Sequence, residues 1–363
     1  MKIDADPTAL AAAAAWCATA LPARPAVPVL TAMRLDAEGD TLTMSAFDYD
    51  LAATATIKVT VEEPGTVLLP GRLLTEITRS LPDRALTITT DGSRAVLACG
   101  PATFTLLTFP AEDYPSLPAM PAQAGTIGAD ALATAVTQAT AAAGKDDTLP
   151  ALTGALLEAA DGTLTLVCTD RYRLAVREVA WEPVLGGEGH ALIPARALTA
   201  AAKAMTGGDV VTLCLGDGMA GLAGDGRTLI TRQIGGDFPQ YARLMPTEFT
   251  GTATVDGATL AEAVKRVALV AERDTAVRLA FTPGSLQAAA GTGDGSAAQE
   301  AMDAGWDGEP LTIAFSPAYL LDGLGALGPG EVSFGLTGEG KPALLTGAQD
   351  GLRYLLMPIR LGA

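Results

Sequence analysis

The chain repeats itself, and that repetition limits its fold more than any single motif does. Leu42-Thr-Met-Ser-Ala-Phe-Asp-Tyr-Asp-Leu-Ala aligns, with a one-residue gap, with Leu164-Thr-Leu-Val-Cys-Thr-Asp-Arg-Tyr-Arg-Leu-Ala 122 positions on. Ser285-Leu-Gln-Ala-Ala-Ala follows 121 positions later. Phe109-Pro-Ala-Glu-Asp-Tyr-Pro-Ser-Leu-Pro recurs as Phe238-Pro-Gln-Tyr-Ala-Arg-Leu-Met-Pro, and Met357-Pro-Ile-Arg-Leu takes that place in the third copy. Each copy is expected to open with a helix, over 8–20, 129–143 and 258–271, and to carry a second one halfway, over 70–81, 194–205 and 317–327. A copy therefore reads helix, strands, helix, strands, which is two similar half-units. Solenoid repeats run to roughly 20–50 residues, so copies this long are domains. Their expected limits are 1–121, 122–248 and 249–363, with Pro115, Pro118 and Pro121 marking the first border as a linker. Strands outnumber helices, which places the chain in the α+β class with antiparallel sheets.

The richest stretch is Leu164–Glu178. Alternation from Leu164 to Val167 predicts a half-buried strand, and Leu174–Val176 resumes it. Thr169 and Asp170 suit a tight turn, because their short oxygen-bearing side chains bond to nearby backbone. The resulting hairpin is expected to present Arg171-Tyr172-Arg173-Leu174 at its rim, and Arg and Tyr are favoured interface anchors.

Charge and cysteine usage close off several functions. The net charge of −17 argues against a purely electrostatic nucleic-acid binder, which neutralises phosphates with a basic excess. With 49% hydrophobic and 18% charged residues the chain reads as globular. Cys17, Cys99, Cys168 and Cys214 lie far apart with no CxxC pair, so neither a zinc site nor a disulfide framework is signalled, and no metal or cofactor is expected. Leu10–Leu21 imitates a secretory signal, but Asp4 and Asp6 against Lys2 give the wrong charge ahead of it. The stretch reads instead as a helix with Pro7 at its start. No apolar run approaches the roughly 20 residues of a membrane span.

Catalysis finds little support. His190, the only histidine, sits in Gly-Gly-Glu-Gly-His, a loop setting, which leaves triad chemistry without a base. Asp146-Asp147 and Glu62-Glu63 are adjacent pairs whose side chains point apart. Gly291-Thr-Gly-Asp-Gly and Gly216-Asp-Gly lack the strand and helix context of a nucleotide fingerprint.

Taken together, the three-copy plan, Thr169–Ala175 (TDRYRLA), Phe238–Pro246 (FPQYARLMP) and the terminal Tyr354–Leu361 (YLLMPIRL) resemble the bacterial sliding clamps, the beta subunits of DNA polymerase III. The likeness spans essentially the whole chain. Ala23–Leu30 (ARPAVPVL), Gly144–Pro150 (GKDDTLP) and Gly340–Leu345 (GKPALL) are most similar to actinobacterial members. The resemblance implies a homodimer closed head to tail into a ring around double-stranded DNA, sheets outside and helices lining the hole. The first domain of one chain would join the third of the other through edge strands. It implies a non-enzymatic processivity factor, cytoplasmic and nucleoid-associated, with no membrane partner.

A ring holds DNA by enclosure, so weak, sequence-blind attraction suffices and an acidic chain is no contradiction. The resemblance implies DNA contacts from Arg24, Arg72, Arg79, Lys145, Arg196, Lys203, Lys265 and Arg266, with Arg24 in Leu-Pro-Ala-Arg-Pro matching a family arginine known as a DNA contact. Asp146 stands where some relatives have a DNA-contacting glutamine and would repel phosphate.

The second implied site is a peptide pocket that receives a short Gln/Leu/Phe-rich motif. That motif is carried by the DNA polymerase III alpha subunit, the clamp loader, other polymerases and repair proteins. By motif, the pocket takes Leu152, Thr169, Arg171, Tyr172, Arg173 and Leu174 from the hairpin and Pro239, Arg243 and Leu244 from FPQYARL. The last strand supplies Leu355, Leu356, Met357, Pro358, Ile359 and Arg360, with Tyr319 and Pro342 at the rim. Strand alternation turns about half of the terminal residues into the core. Arg171-Tyr172 replaces a smaller Gly-His pair of some relatives, which implies a narrower mouth. Two other readings stay open on sequence: an auxiliary clamp paralogue with altered partner or inhibitor binding, and a repeat scaffold that never encircles DNA.

Overall fold

The structure is a computed structural model that describes every residue except 217, 271–275, 292–294, 349–350 and 361–363. Ala271, Leu361 and the middle of each of the two glycine stretches considered above therefore lie outside the described residues. Six α-helices occur among the described residues: α1 Pro7–Cys17, α2 Gly71–Ser80, α3 Ala129–Thr140, α4 Ala195–Ala204, α5 Gly257–Val267 and α6 Pro317–Leu327. They fall where the repeat predicts. The three opening helices are shorter than expected because their last turns tighten or break: Ala18–Ala20 and Ala268–Val270 are 3₁₀ turns, and α3 stops at Thr140. Pro7 is the first residue of α1, and the Asp6 carboxylate accepts a bond from the Ala9 amide at 2.7 Å. Asp256 does the same for α5 through the Thr259 amide at 2.8 Å. No described helix is long and apolar enough to cross a membrane.

The chain divides into two compact units, Met1–Leu132 with Trp181–Ile193 and Ala200–Gln233, and Ala133–Ala180 with Pro194–Thr199 and Ile234–Ala363. The cut runs through the middle copy because each half of that copy extends a sheet of a neighbour. In the first unit, Arg227–Arg232 pairs with Leu51–Lys58, so Gln123–Gly128 and the 210–232 strands continue the sheet of Ala32–Glu38, Thr41–Phe47, Leu51–Lys58 and Gly65–Pro70. In the second, Arg173–Ala180 pairs with Leu352–Leu356, which joins the strands of 154–180 to Ala343–Gly347, Glu331–Leu336, Gly251–Asp256 and Gly305–Asp307. Each unit has a further sheet: Thr60–Glu63, Lys2–Ala5, Leu86–Asp91, Arg94–Cys99 and Ala102–Leu107 in one, and Ala297–Asp303, Ser285–Gly291, Val277–Thr282 and Leu311–Phe315 in the other. The strand pairings described within each unit are antiparallel, as expected of the class.

Helices press on these sheets through small residues. Ala13, Ala14 and Cys17 of α1 are buried, and Thr75 of α2 donates to the Ala14 carbonyl at 3.4 Å. In the second unit α6 crosses the fully buried Tyr354 at Gly323, where an added Cβ would sit 2.5 Å from the ring. The Tyr354 hydroxyl donates to the Tyr319 carbonyl at 3.0 Å, which pins the start of α6.

The repeat holds at atomic detail and corrects the alignment. Asp48 and Asp170 each accept from the amides two and three residues on, at 2.7–3.0 Å. Tyr49 and Arg171 both occupy left-handed backbone, at φ 77° and 79°. Phe47 pairs with Ala52 and Thr169 with Leu174, so the loops are equally long and the one-residue gap disappears.

Candidate functional site

The hairpin of Thr163–Thr169 and Arg173–Ala180 is locked at its turn. Thr169 Oγ1 donates to the Arg173 carbonyl at 2.7 Å and accepts from the Arg171 amide at 3.3 Å. Positive φ is costly for a non-glycine residue, and these bonds with those of Asp170 hold Arg171 in it. The turn splits the expected rim. Arg171 and Tyr172 are exposed, whereas Arg173 and Leu174 are buried at 5% and 3%. That corrects the reading of four consecutive rim residues: a turn in this conformation offers two outward positions before the strand begins.

Arg173 is buried because its charge is fully answered. Its Nε lies 2.9 Å from Asp170 and a terminal nitrogen 2.6 Å from Asp322 of α6. Its guanidinium stands 4.4 Å over the Tyr319 ring. Burial alone would lower its pKa, but the bonds to Asp322 and Tyr354 and the charge of Asp170 raise it above the ordinary arginine value. Tyr319 also stacks on Tyr172, centroids 6.2 Å apart and planes 25° apart. Hairpin and α6 thus form one wall.

Beside this wall lies a cavity of about 360 Å³. It gathers five of the expected pocket residues, Leu152, Arg171, Tyr172, Arg173 and Tyr319, and adds Lys145, which was expected at DNA. Leu152 arrives on the 3₁₀ turn Pro150–Thr153, whose Leu152 carbonyl accepts from Gly144 at 2.8 Å. Asp146, Leu149, Asp170, Ala318 and Asp322 also line it and were not foreseen as pocket residues. Asp146 is turned into its own loop, where its bonds to Thr148 hold its carboxyl below the usual range.

The remaining expected residues sit around the cavity rather than in it. Leu355 and Leu356 pair with Leu174 and Arg173 and are buried in the sheet, so they serve as core. Met357 donates its amide to the Tyr172 carbonyl at 2.8 Å and leaves its side chain 41% exposed. Ile359 and Arg360 are exposed beyond it, with Pro358 half-buried. Pro342 precedes Ala343, the register partner of Leu356. Pro239, Arg243 and Leu244 do not line the cavity. Arg243 and Leu244 belong to the 3₁₀ turn Tyr241–Leu244, with Pro239 just before it, and the turn is tied down by the Tyr241 hydroxyl bonding the Glu158 carboxylate.

Of the expected DNA contacts, Arg72 and Arg79 share an exposed face of α2 with Glu76, and Arg196 and Lys203 share one of α4. Arg24 is exposed beyond α1. Lys265 and Arg266 project from α5 but meet Glu262 and Glu300, at 2.7 and 2.6 Å, so much of their charge is already neutralised. His190 is the second residue of the strand Gly189–Pro194 and exposed, not in a loop. The four cysteines are buried and free, and no cluster able to hold a metal occurs among the described residues.

Three family models match the chain in order: the N-terminal domain of the DNA polymerase III beta subunit over 1–118, its central domain over 126–240 and its C-terminal domain over 242–360. The Beta sliding clamp of Streptomyces coelicolor is 47% identical over 99% of this chain and 100% of that protein. The Beta sliding clamp homolog GriR of Streptomyces muensis is 39% identical over 99% of both. Among solved structures, a Pseudomonas aeruginosa sliding clamp bound to griselimycin superposes with TM-score 0.93 at 28% identity, covering 99% of this chain and 100% of that one. A Bacillus subtilis clamp gives 0.92 at 25%, with full coverage of both.

Proposed function

The chain belongs to the DNA polymerase III beta subunit family, and on that premise we propose that it is a sliding clamp whose two copies close head to tail around duplex DNA. It is a non-catalytic processivity factor. The observation that carries this reading is the ordered match of all three family domains along one chain. The proposed domain limits, 1–121, 122–248 and 249–363, follow the same order. The proposed workplace is the cytoplasm, on the nucleoid. The proposed partners are the polymerase III alpha subunit, the clamp loader, and other polymerases and repair proteins.

The DNA-facing role falls best on Arg24, Arg72, Arg79, Arg196 and Lys203, which are exposed and meet no carboxylate in a salt bridge among the described residues. Lys265 and Arg266 contribute less because of Glu262 and Glu300. Lys145 moves to the peptide pocket. There Leu152 and the Tyr172–Tyr319 pair offer apolar walls and Arg171 a cation for an extended peptide, with the exposed Met357 beside them. Arg173 positions Tyr319 instead of meeting the peptide.

Light scattering over a dilution series tests the ring first: a particle of about twice 36.8 kDa supports it, followed by retention on circular but not linearised DNA. A monomer at every concentration refutes it. For the pocket, a Leu-Phe-ended peptide titrated against Tyr172→Gly is expected to change affinity, and an unchanged affinity removes Tyr172 from the site. The Tyr172–Tyr319 stack over the pocket also favours a second reading, an auxiliary clamp with altered partner choice. Replacement of a resident clamp gene by this one would count against it.

A further inference from the structure

The first copy has an open cleft of its own, built in part from the elements that line the pocket of the second copy. Val27, Pro28, Val29, Tyr49, Phe109 and Pro110 enclose about 440 Å³, against 360 Å³ in the second copy, with Asp113 on the rim. Two of its parts correspond, and Phe109-Pro110 takes the side that Ala318 and Tyr319 form in the second copy. The 3₁₀ turn Pro28–Thr31 lies 122 positions before Pro150–Thr153, and Tyr49 occupies the left-handed turn position of Arg171.

We propose that this cleft is a second docking site, for a peptide segment with an aliphatic or aromatic anchor next to lysine or arginine. Its walls are preformed. The Phe109 amide donates a hydrogen bond to the Leu68 carbonyl at 3.0 Å, and Tyr49 leans edge-on against Phe47, centroids 5.5 Å apart. Val29 and Phe109 rest on a buried cluster that includes Phe47, Leu68 and Tyr114. A site that needs no ordering on binding keeps more of its interaction energy. Val27 and Tyr49 stay 38% and 45% exposed, an apolar surface that a side chain would cover.

Charge decides the occupant. Asp113 lines the cleft with the exposed Glu112 next to it in sequence, whereas beside Tyr49 the Asp48 carboxylate is taken up by its own turn and Asp50 is held by Arg232 at 3.0 Å. The second-copy pocket instead sets Lys145, Arg171 and Arg173 against Asp146, Asp170 and Asp322. The charge of the first-copy lining comes from Asp113 alone, which favours a basic neighbour of the apolar anchor, whereas the second-copy lining is balanced.

The test uses the full chain and a fluorescein-labelled, amidated peptide, Lys-Leu-Phe-Lys-Lys-Gly, followed by anisotropy. Saturable binding with a Kd on the order of 100 μM is expected. Tyr49→Gly removes the ring and suits the positive φ, and it should weaken binding about tenfold. Asp113→Lys, at an exposed position, should weaken it about fivefold and favour the same peptide with glutamates for lysines. Tyr172→Ala, in the other pocket, should leave it unchanged. Absence of saturation at about 1 mM overturns the proposal, as does binding that survives Tyr49→Gly and Asp113→Lys but is lost in Tyr172→Ala. Neither result bears on ring formation, which is read by particle mass.

Discussion

The hairpins of the first and second copies share one backbone and differ in what fills it. Both turn on an aspartate that accepts two amides, and both put a non-glycine residue at φ near 78°. In the first copy the position before the aspartate is Phe47, 6% exposed and packed with Tyr114, Leu68 and Ile230. In the second it is Thr169, whose hydroxyl closes the turn. Three residues past the aspartate stands Leu51 in one copy and Arg173 in the other. The first copy therefore stabilises its turn by apolar packing and the second by polar bonds and an ion pair with α6. Duplicated backbones can keep a pocket's place while side chains set its chemistry.

Phe47→Ala should do the most damage, because it removes a buried aromatic from a cluster with no polar substitute. A loss of about 4 kcal/mol is expected, read as a shift in the urea transition of the first unit. Arg173→Ala comes next at about 3 kcal/mol, since it leaves Asp170 without its partner. The estimate sits at the low end because the Asp322 side chain is 50% exposed and water answers part of its charge. Arg173→Lys should not rescue it, because an ammonium cannot reach two carboxylates and stack on Tyr319 together. Equal losses from Phe47→Ala and Thr169→Val would break the comparison. The expected cost of Thr169→Val is about 1 kcal/mol, one hydrogen bond.

Much of this was legible in the sequence, and what was not has a physical reason. Helices and the hairpin follow from periodicity and turn chemistry, both local. The burial of Arg173 does not, because one of the carboxylates that permits it is 149 residues away. Asp322 and Gly323 look like ordinary helix residues until α6 is laid across Tyr354. Lys145 follows α3 in sequence, which suggests a DNA-facing cation, yet the loop after Thr140 carries it to the pocket. The division through the middle copy escapes a repeat search too, since the pairing of Arg173–Ala180 with Leu352–Leu356 joins strands that the period keeps apart.

The smallest effect gives the sharpest contrast, and it concerns the tyrosines of the two FP segments. Tyr241 bonds the Glu158 carboxylate, so Tyr241→Phe should cost about 1 kcal/mol. Tyr114 is 7% exposed and its hydroxyl makes no bond of normal geometry. Tyr114→Phe should therefore be neutral or stabilising by up to about 1 kcal/mol. Burial pushes the Tyr114 phenol up to about 12, above the value of about 10 in an unfolded chain. A folded-state pKa raised in this way leaves stability untouched below pH 10 and erodes it as pH climbs from 10 towards 12, because only the unfolded chain ionises freely there. Tyr114→Phe should flatten the alkaline fall of stability by up to about one proton. Chemical denaturation at pH 9, 10 and 11 measures that slope, and an unchanged slope would mean that the Tyr114 hydroxyl reaches water.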